Sequence, residues 1–196
     1  MTQPGGSAGF EMPGRTVTGR RPEMAARLLD AAVAEIAESG FDGVTVRLVA
    51  SRAGVSAATA YSYFSSKEHL FTSEFLRRLT TLPEPTFRKG SGLPERLRVA
   101  LEPIALLVAD EPVLAAGVTT SMVAHDPDVT AMRGQVGVIF ADRVGKALGP
   151  DASPAALAGF VMTFVGAFLA AGMGNIEYRQ VAGFLADFAT LFRDQP

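Results

Sequence analysis

The chain has 196 residues, with 18 Lys and Arg against 20 Asp and Glu and no cysteine or tryptophan. That length supports a hydrophobic core without staples, and the missing cysteines exclude disulfides, thiolate metal sites and cysteine nucleophiles. A net charge of −2 argues against gripping polyanions over the whole surface, but the charge is unevenly placed: residues 1–82 hold nine Lys/Arg against eight Asp/Glu, residues 83–196 nine against twelve.

Residues 1–21 contain Pro4, Gly5, Gly6, Gly9, Pro13, Gly14 and Gly19 and little that packs. This composition predicts a disordered arm, made basic by Arg15, Arg20 and Arg21 against Glu11. The arm lacks the apolar run of a secretory signal, so the chain is expected to stay in the cytoplasm. From Glu23 onward Leu28, Leu29, Ala32, Val33, Ile36 and Ala37 recur at three- and four-residue steps, one buried stripe of a first helix that Gly40 and Phe41 end.

Thr45 is placed as the N-cap of a short helix to Arg52, with Val46, Val49, Ala50 and Ala53 turned inward. Gly54 breaks that helix. Ser56 caps a second short one anchored by Ala60, Tyr61 and Phe64, and Ser66 caps a longer helix, 66–82, that Pro83 and Pro85 stop. Two short capped helices joined by a tight glycine turn form a helix-turn-helix, whose second helix can enter the major groove of DNA. Ala50 is small where that helix crosses close to it.

The stretch from Thr45 to Phe71 closely resembles the TetR family of transcriptional regulators. Thr45, Val49, Ala50, Ala53, Gly54, Val55, Ser56, Thr59, Tyr61, Phe64, Ser66, Lys67, Glu68 and Leu70 match the pattern, and residues 22–71 carry the likeness. The resemblance implies that Thr59, Tyr61 and Lys67 contact backbone phosphates, and that Ala57, Ala58, Ser62 and Tyr63 face base edges. Thr45, Arg47 and Ser56 complete the expected DNA-binding set. For Tyr61 a place in the small three-helix core is an equal expectation, and Lys67 alone is also an ordinary surface charge. Ala57 and Ala58 stand where relatives often offer longer polar residues, so base reading leans on thymine methyl contacts, Ser62, Tyr63, Arg47 and DNA shape.

Beyond a Pro- and Gly-rich connection the chain is again helical in period, with five further helices expected at 93–109, 111–124, 127–148, 154–174 and 176–192. The fold class is therefore all-α with about nine helices: an arm at 1–21, a DNA-binding domain at 22–71, and a ligand-binding and dimerisation domain at 72–196. A small-residue ridge of Gly159, Gly166, Ala170 and Gly174, with Phe184, Phe188, Leu191 and Phe192, resembles the family's two-helix dimer face. Ile104, Leu107, Val118, Met122, His125, Gln135, Phe140, Met162 and Phe164 are the expected lining of an effector cavity between the fifth and eighth helices, suited to a hydrophobic or amphipathic molecule. At helical spacing these residues also read as plain core.

Rival classes find little support. Gly5 to Gly9 spells a nucleophile-elbow pattern without the strand and helix that make one, and His125, Asp126 and Asp128 are too few for a metal shell in a chain with two histidines. No catalytic residue, metal or cofactor is expected. The uncharged run 155–174 is long enough to span a bilayer, yet its glycines and unflanked ends fit a buried interface helix better. The resulting expectation is a homodimeric repressor released from a palindromic operator by a small-molecule effector. The alternative is a helical small-molecule-binding protein without specific DNA binding.

Overall fold

The structure, a computed structural model, describes residues 20–191. The arm expected at 1–21 lies outside the described residues except for Arg20 and Arg21, which open the first helix; Phe192 lies outside them as well. The described residues form nine α-helices and one 3-10 turn, with no strand.

Helix α1 (Arg20–Gly43) buries Ala25, Leu28, Leu29, Ala31, Ala32 and Ile36, whereas Val33 is half-buried and Ala37 is exposed, so its inner stripe is turned toward Ala25 and Ala31 relative to the expected one. Gly40 ends the regular helix as expected, its backbone being non-helical at ψ 169°. At φ 69° it kinks a segment that continues to Gly43 and brings Phe41 onto Phe71, ring centroids 5.6 Å apart. Helices α2 (Val46–Arg52) and α3 (Ala57–Tyr61) follow.

Helix α4 (Lys67–Thr81) packs against α1 on one side and against α5, α6 and α7 on others. Every residue from Leu70 to Leu76 is therefore buried, polar ones included. Glu74 is only 1% exposed, and its two oxygens accept from Arg77 Nε and Arg78 Nε, both at 2.7 Å. Those arginines carry the bond outward: Arg77 to Asp30 on α1, and Arg78 to the Leu107 carbonyl and to Glu111. A buried carboxylate is tolerated because both lone-pair fronts meet guanidinium donors.

Helices α5 (Leu93–Ala109) and α7 (Pro127–Leu148) span the expected residues, while α6 (Pro112–Met122) is shorter at both ends. Helix α8 (Pro154–Gly172) stops before the expected 174, because Gly174 turns the chain at φ 79°. The expected helix 176–192 is a 3-10 turn (Tyr178–Gln180) followed by α9 (Val181–Thr190). Gln180 Oε1 accepts the Glu177 N–H at 2.9 Å and tightens that start. The body's core is aromatic: Phe164 meets Phe140 edge-on at 4.9 Å, and Phe168 lies against Phe75 of α4 at 5.6 Å. Among the described residues α8 is long and apolar enough to cross a bilayer, but Phe160, Val161, Phe164, Ala167, Phe168 and Ala171 pack within the fold.

Candidate nucleic-acid interface

Each short helix starts on a side-chain cap. Thr45 accepts the Leu48 N–H at 3.2 Å, and Ser56 accepts the Thr59 N–H at 3.1 Å. Between the helices Gly54 adopts φ 67°, which lets the Val55 N–H reach back to the Ala50 carbonyl at 3.0 Å and closes α2. From α1, Arg27 Nη2 donates to the Ala53 carbonyl at 2.6 Å and finishes the same end. Val49, Ala50, Ala53, Ala60 and Phe64 are buried beneath the turn. The angle between α2 and α3 is thus set by caps, one left-handed glycine and small side chains at the crossing.

What remains outward is a compact polar face. Thr45, Arg47, Ser56, Ala58, Tyr61 and Ser62 are exposed, and Ala57, Thr59, Tyr63 and Lys67 are half-buried at its edges. Tyr61 is 51% exposed, so it is not the core anchor that its spacing from Ala60 and Phe64 suggested. Thr59 Oγ1 lies 2.8 Å from Ser56 Oγ, so these two hydroxyls are bonded to each other, while Ser62 Oγ donates to the Thr59 backbone carbonyl at 2.7 Å. Tyr63 leans on Phe64, ring centroids 6.5 Å apart.

Several cations near this face are already engaged. Arg52 pairs with Glu35 at 2.7 Å and with Glu38 on α1, and the short-range bonds to these carboxylates raise its pKa. Lys67 Nζ donates to the Phe41 carbonyl at 3.0 Å and sits 4.3 Å from the Phe41 ring centroid. Lys67 therefore also struts α4 against the end of α1, using one of its three ammonium donors. The roles of Arg27 and Lys67 rest on contacts to residues 26 positions away, which no local pattern announces.

The other expected sites are distributed differently. Ile104, Val118, Phe140 and Phe164 are closed into the core, Leu107, Met122 and Gln135 are half-buried, and His125 is exposed. Met162 corrects the cavity expectation outright: it stands 65% exposed on the outer side of α8. Two surface clefts, of about 530 and 330 Å³, are lined by other residues, the larger by Leu93, Leu148, Ala155, Phe160, Thr163 and Phe188 among others. Of the expected dimer residues, Gly159, Gly166, Phe184 and Leu191 are exposed, while Ala170 is half-buried. Phe188 is half-buried edge-on to Phe160 at 5.9 Å. Gly174 serves the turn after α8 instead of a packing ridge.

Comparison with known proteins agrees with this geometry. The model of bacterial regulatory proteins of the tetR family matches residues 28–73. A helix-turn-helix-type transcriptional regulator of Mycobacterium tuberculosis is 39% identical over 158 residues, 80% of this chain and 74% of that protein. The transcriptional repressor KstR of Rhodococcus jostii is 31% identical over 133 residues, 65% of this chain and 60% of its own. The crystal structure of a TetR transcriptional regulator from Rhodococcus sp. RHA1 shares the fold, with a TM-score of 0.72 and 21% identity over 90% of this chain and 98% of that one.

Proposed function

Because the chain belongs to the tetR family of bacterial regulatory proteins, we propose that this transcriptional regulator is a homodimeric repressor, which holds a palindromic operator and releases it when a small hydrophobic or amphipathic molecule binds its helical body. The observation that carries the DNA-binding half is the exposed face of Arg47, Ser56, Ala58, Tyr61 and Ser62 above a buried apolar base. Residues 22–71 act as the reader and 72–196 as the body, with α4 belonging mechanically to both. Thr45, Ser56, Thr59 and Tyr61 offer hydroxyls to phosphates, Arg47 offers charge, and Ala57, Ala58, Ser62 and Tyr63 face the bases.

The dimer half rests on glycines that the single chain does not need. A side-chain carbon added at Gly159 or Gly166 meets nothing within 4 Å, so neither glycine is required by packing inside the chain. Both share the outer side of α8 with Met162, and α9, packed against α8, leaves Phe184 exposed, as is Leu191 just past its end. Small residues flanked by exposed apolar ones fit close approach of a second copy. Two readers held by that face would meet successive turns of one groove.

A second reading, a sensor without specific DNA binding, is favoured by Ala57 and Ala58, which hydrogen-bond no base. Gel shifts against the DNA flanking the gene decide between the two. The repressor reading expects specific binding that weakens steeply with salt, and Arg47→Ala should lower the logarithmic salt slope by about one. Binding no tighter than to competitor DNA would overturn it.

A further inference from the structure

The corner between α3 and α4 meets the body at a seam that DNA contact does not explain. Ser66, the N-cap of α4, accepts the His69 N–H at 3.0 Å and donates its hydroxyl to Asp126 Oδ2 at 2.6 Å. Asp126 is itself the N-cap of α7: its Oδ1 accepts the Asp128 N–H at 2.8 Å and the Val129 N–H at 3.3 Å. The starts of two helices, one leaving the reader and one inside the body, are thus joined cap to cap. Beside them Ser65 Oγ donates to Asp128 Oδ2 at 2.5 Å. The Ser65 N–H donates to His69 Nδ1 at 3.3 Å, which sets the imidazole as the Nε2–H tautomer. Arg133 stiffens the body side of the seam by donating to the Met122 and Ala124 carbonyls at 2.9 and 3.0 Å.

We propose that Asp126 and Asp128 are positioning residues for DNA binding: the α6–α7 corner clasps Ser65 and Ser66 and thereby sets the angle at which α3 meets the groove. The proposal rests on the reading of α2 and α3 as the DNA reader. Ser65 follows the last residue of α3, Tyr61, by four positions, and Phe64 between them is buried, so a shift at Ser65 is passed to the exposed face. Helix α4 and the packing of α1 on α6 already tie the reader to the body. A further attachment made of carboxylate–hydroxyl bonds holds a pose through charge-assisted hydrogen bonds, yet lets it go, because both partners can turn to water at a half-exposed edge. Apolar packing between α1 and α6 has no such exchange partner. The donated Ser66 hydroxyl, foremost, holds the Asp126 carboxyl below its ordinary range, so the acceptor stays ionised through weakly acidic conditions.

The test uses the full chain, whose lack of cysteine permits site-specific labels at Ser51→Cys on α2 and Val138→Cys on the outer side of α7. Labelled chains are diluted with unlabelled ones, and the intrachain spin–spin distance is read by pulsed electron resonance without DNA. Ser66→Asp keeps a capping side chain on α4 but opposes Asp126 with a second carboxylate. Ser66→Asp combined with Asp126→Ser exchanges donor and acceptor and leaves both helices capped. The single variant is expected to broaden the distance distribution, and to weaken binding roughly tenfold to a duplex that the wild-type chain selects from a random-sequence pool. The exchanged pair is expected to restore the narrow distribution and bring affinity back to within about twofold. A Ser66→Asp distribution as narrow as the wild type, or an exchanged pair as broad as the single variant, overturns the clasp. A wild-type chain that selects no duplex overturns the DNA-binding reading and with it the positioning role, while the distances still judge the clasp itself.

Discussion

A methyl group added at Gly117 tests how tightly the reader is seated on the body. Gly117 lies on α6, and a side-chain carbon there would sit 2.6 Å from Ile36 Cδ1 and 3.0 Å from Phe41 Cδ2, both on α1. Carbon atoms prefer separations of about 3.5–4.0 Å, so Gly117→Ala must push α1 and α6 apart by about 1 Å or force Ile36 from its rotamer. Ile36 is closed off from solvent and cannot swing out. Overpacking of this kind costs about 1–3 kcal/mol, from which the better helix propensity of alanine returns about 1 kcal/mol. The net expectation is a loss of about 0–2 kcal/mol. Ile36→Val deletes the very atom that collides and on its own costs about 0.5–1.5 kcal/mol for the void. In the double variant the new methyl group fills that void, so the two changes should couple favourably by about 1 kcal/mol or more. Urea unfolding of the four chains, at matched m-values, reads the coupling directly. Additivity within about 0.5 kcal/mol, or a stabilised Gly117→Ala single variant, would show that α1 and α6 do not press on each other as described.

Met162→Glu, placed on the face assigned to the second copy, should weaken self-association by at least a hundredfold, because an isologous interface buries the new carboxylate twice; an unchanged sedimentation mass at low micromolar concentration counts against that face. Burial, against the opposing pull of Asp128 and Asp126, lowers the pKa of His69 from 6.5. The folded state thus binds that proton less readily than the unfolded chain, and the associated stability is complete above about 6.5 and falls away as pH drops through the lowered value. Stability curves between pH 7.5 and 5 should therefore differ between wild type and His69→Gln, whereas the contribution of Asp126, lowered from 3.8, is lost only below that range; parallel curves would contradict the placement of His69. Glu74→Gln strips the anion from two partly buried guanidinium groups and should cost about 3 kcal/mol in urea unfolding, with a cost under about 1 kcal/mol contradicting the network described.

Where a cap and a period coincide, the sequence is readable to the residue. Thr45, Ser56 and Ser66 each sit one position before an observed helix, and α5 and α7 begin on or beside prolines suited to a first turn. The last segment shows where this fails. Its apolar spacing runs on from Ile176, but one bond from the Glu177 N–H to Gln180 and the left-handed Gly174 reset the backbone before α9 begins. Helix α8 differs again: it is apolar on every side, so no period tells which side faces out, and the inward expectation for Met162 fails where that residue stands 65% exposed. On the reader, the outward polar face followed from small residues and caps, but the commitment of Arg27, Arg52 and Lys67 to α1 or to the adjoining turn comes from side chains that meet only after folding.

Those commitments shift the weight of recognition from chemistry to geometry. With Arg52 and Lys67 tied to α1 and Ala57 and Ala58 unable to hydrogen-bond, the face of α3 offers few groups that could drag a misplaced reader into register. On the reading proposed above, discrimination between sequences depends on bringing Ser62, Tyr63 and Arg47 to the groove edges already aligned, and an error of about an ångström is enough to break a hydrogen bond. A reader of this kind gains from being held at three places: by the buried charges around Glu74, by Gly117 against Ile36, and by the seam of Ser65 and Ser66 with Asp126 and Asp128. The first two are buried or tightly packed and resist movement. The third is polar and half open to water, so a change of shape in the body reaches α3 there at the smallest energetic cost.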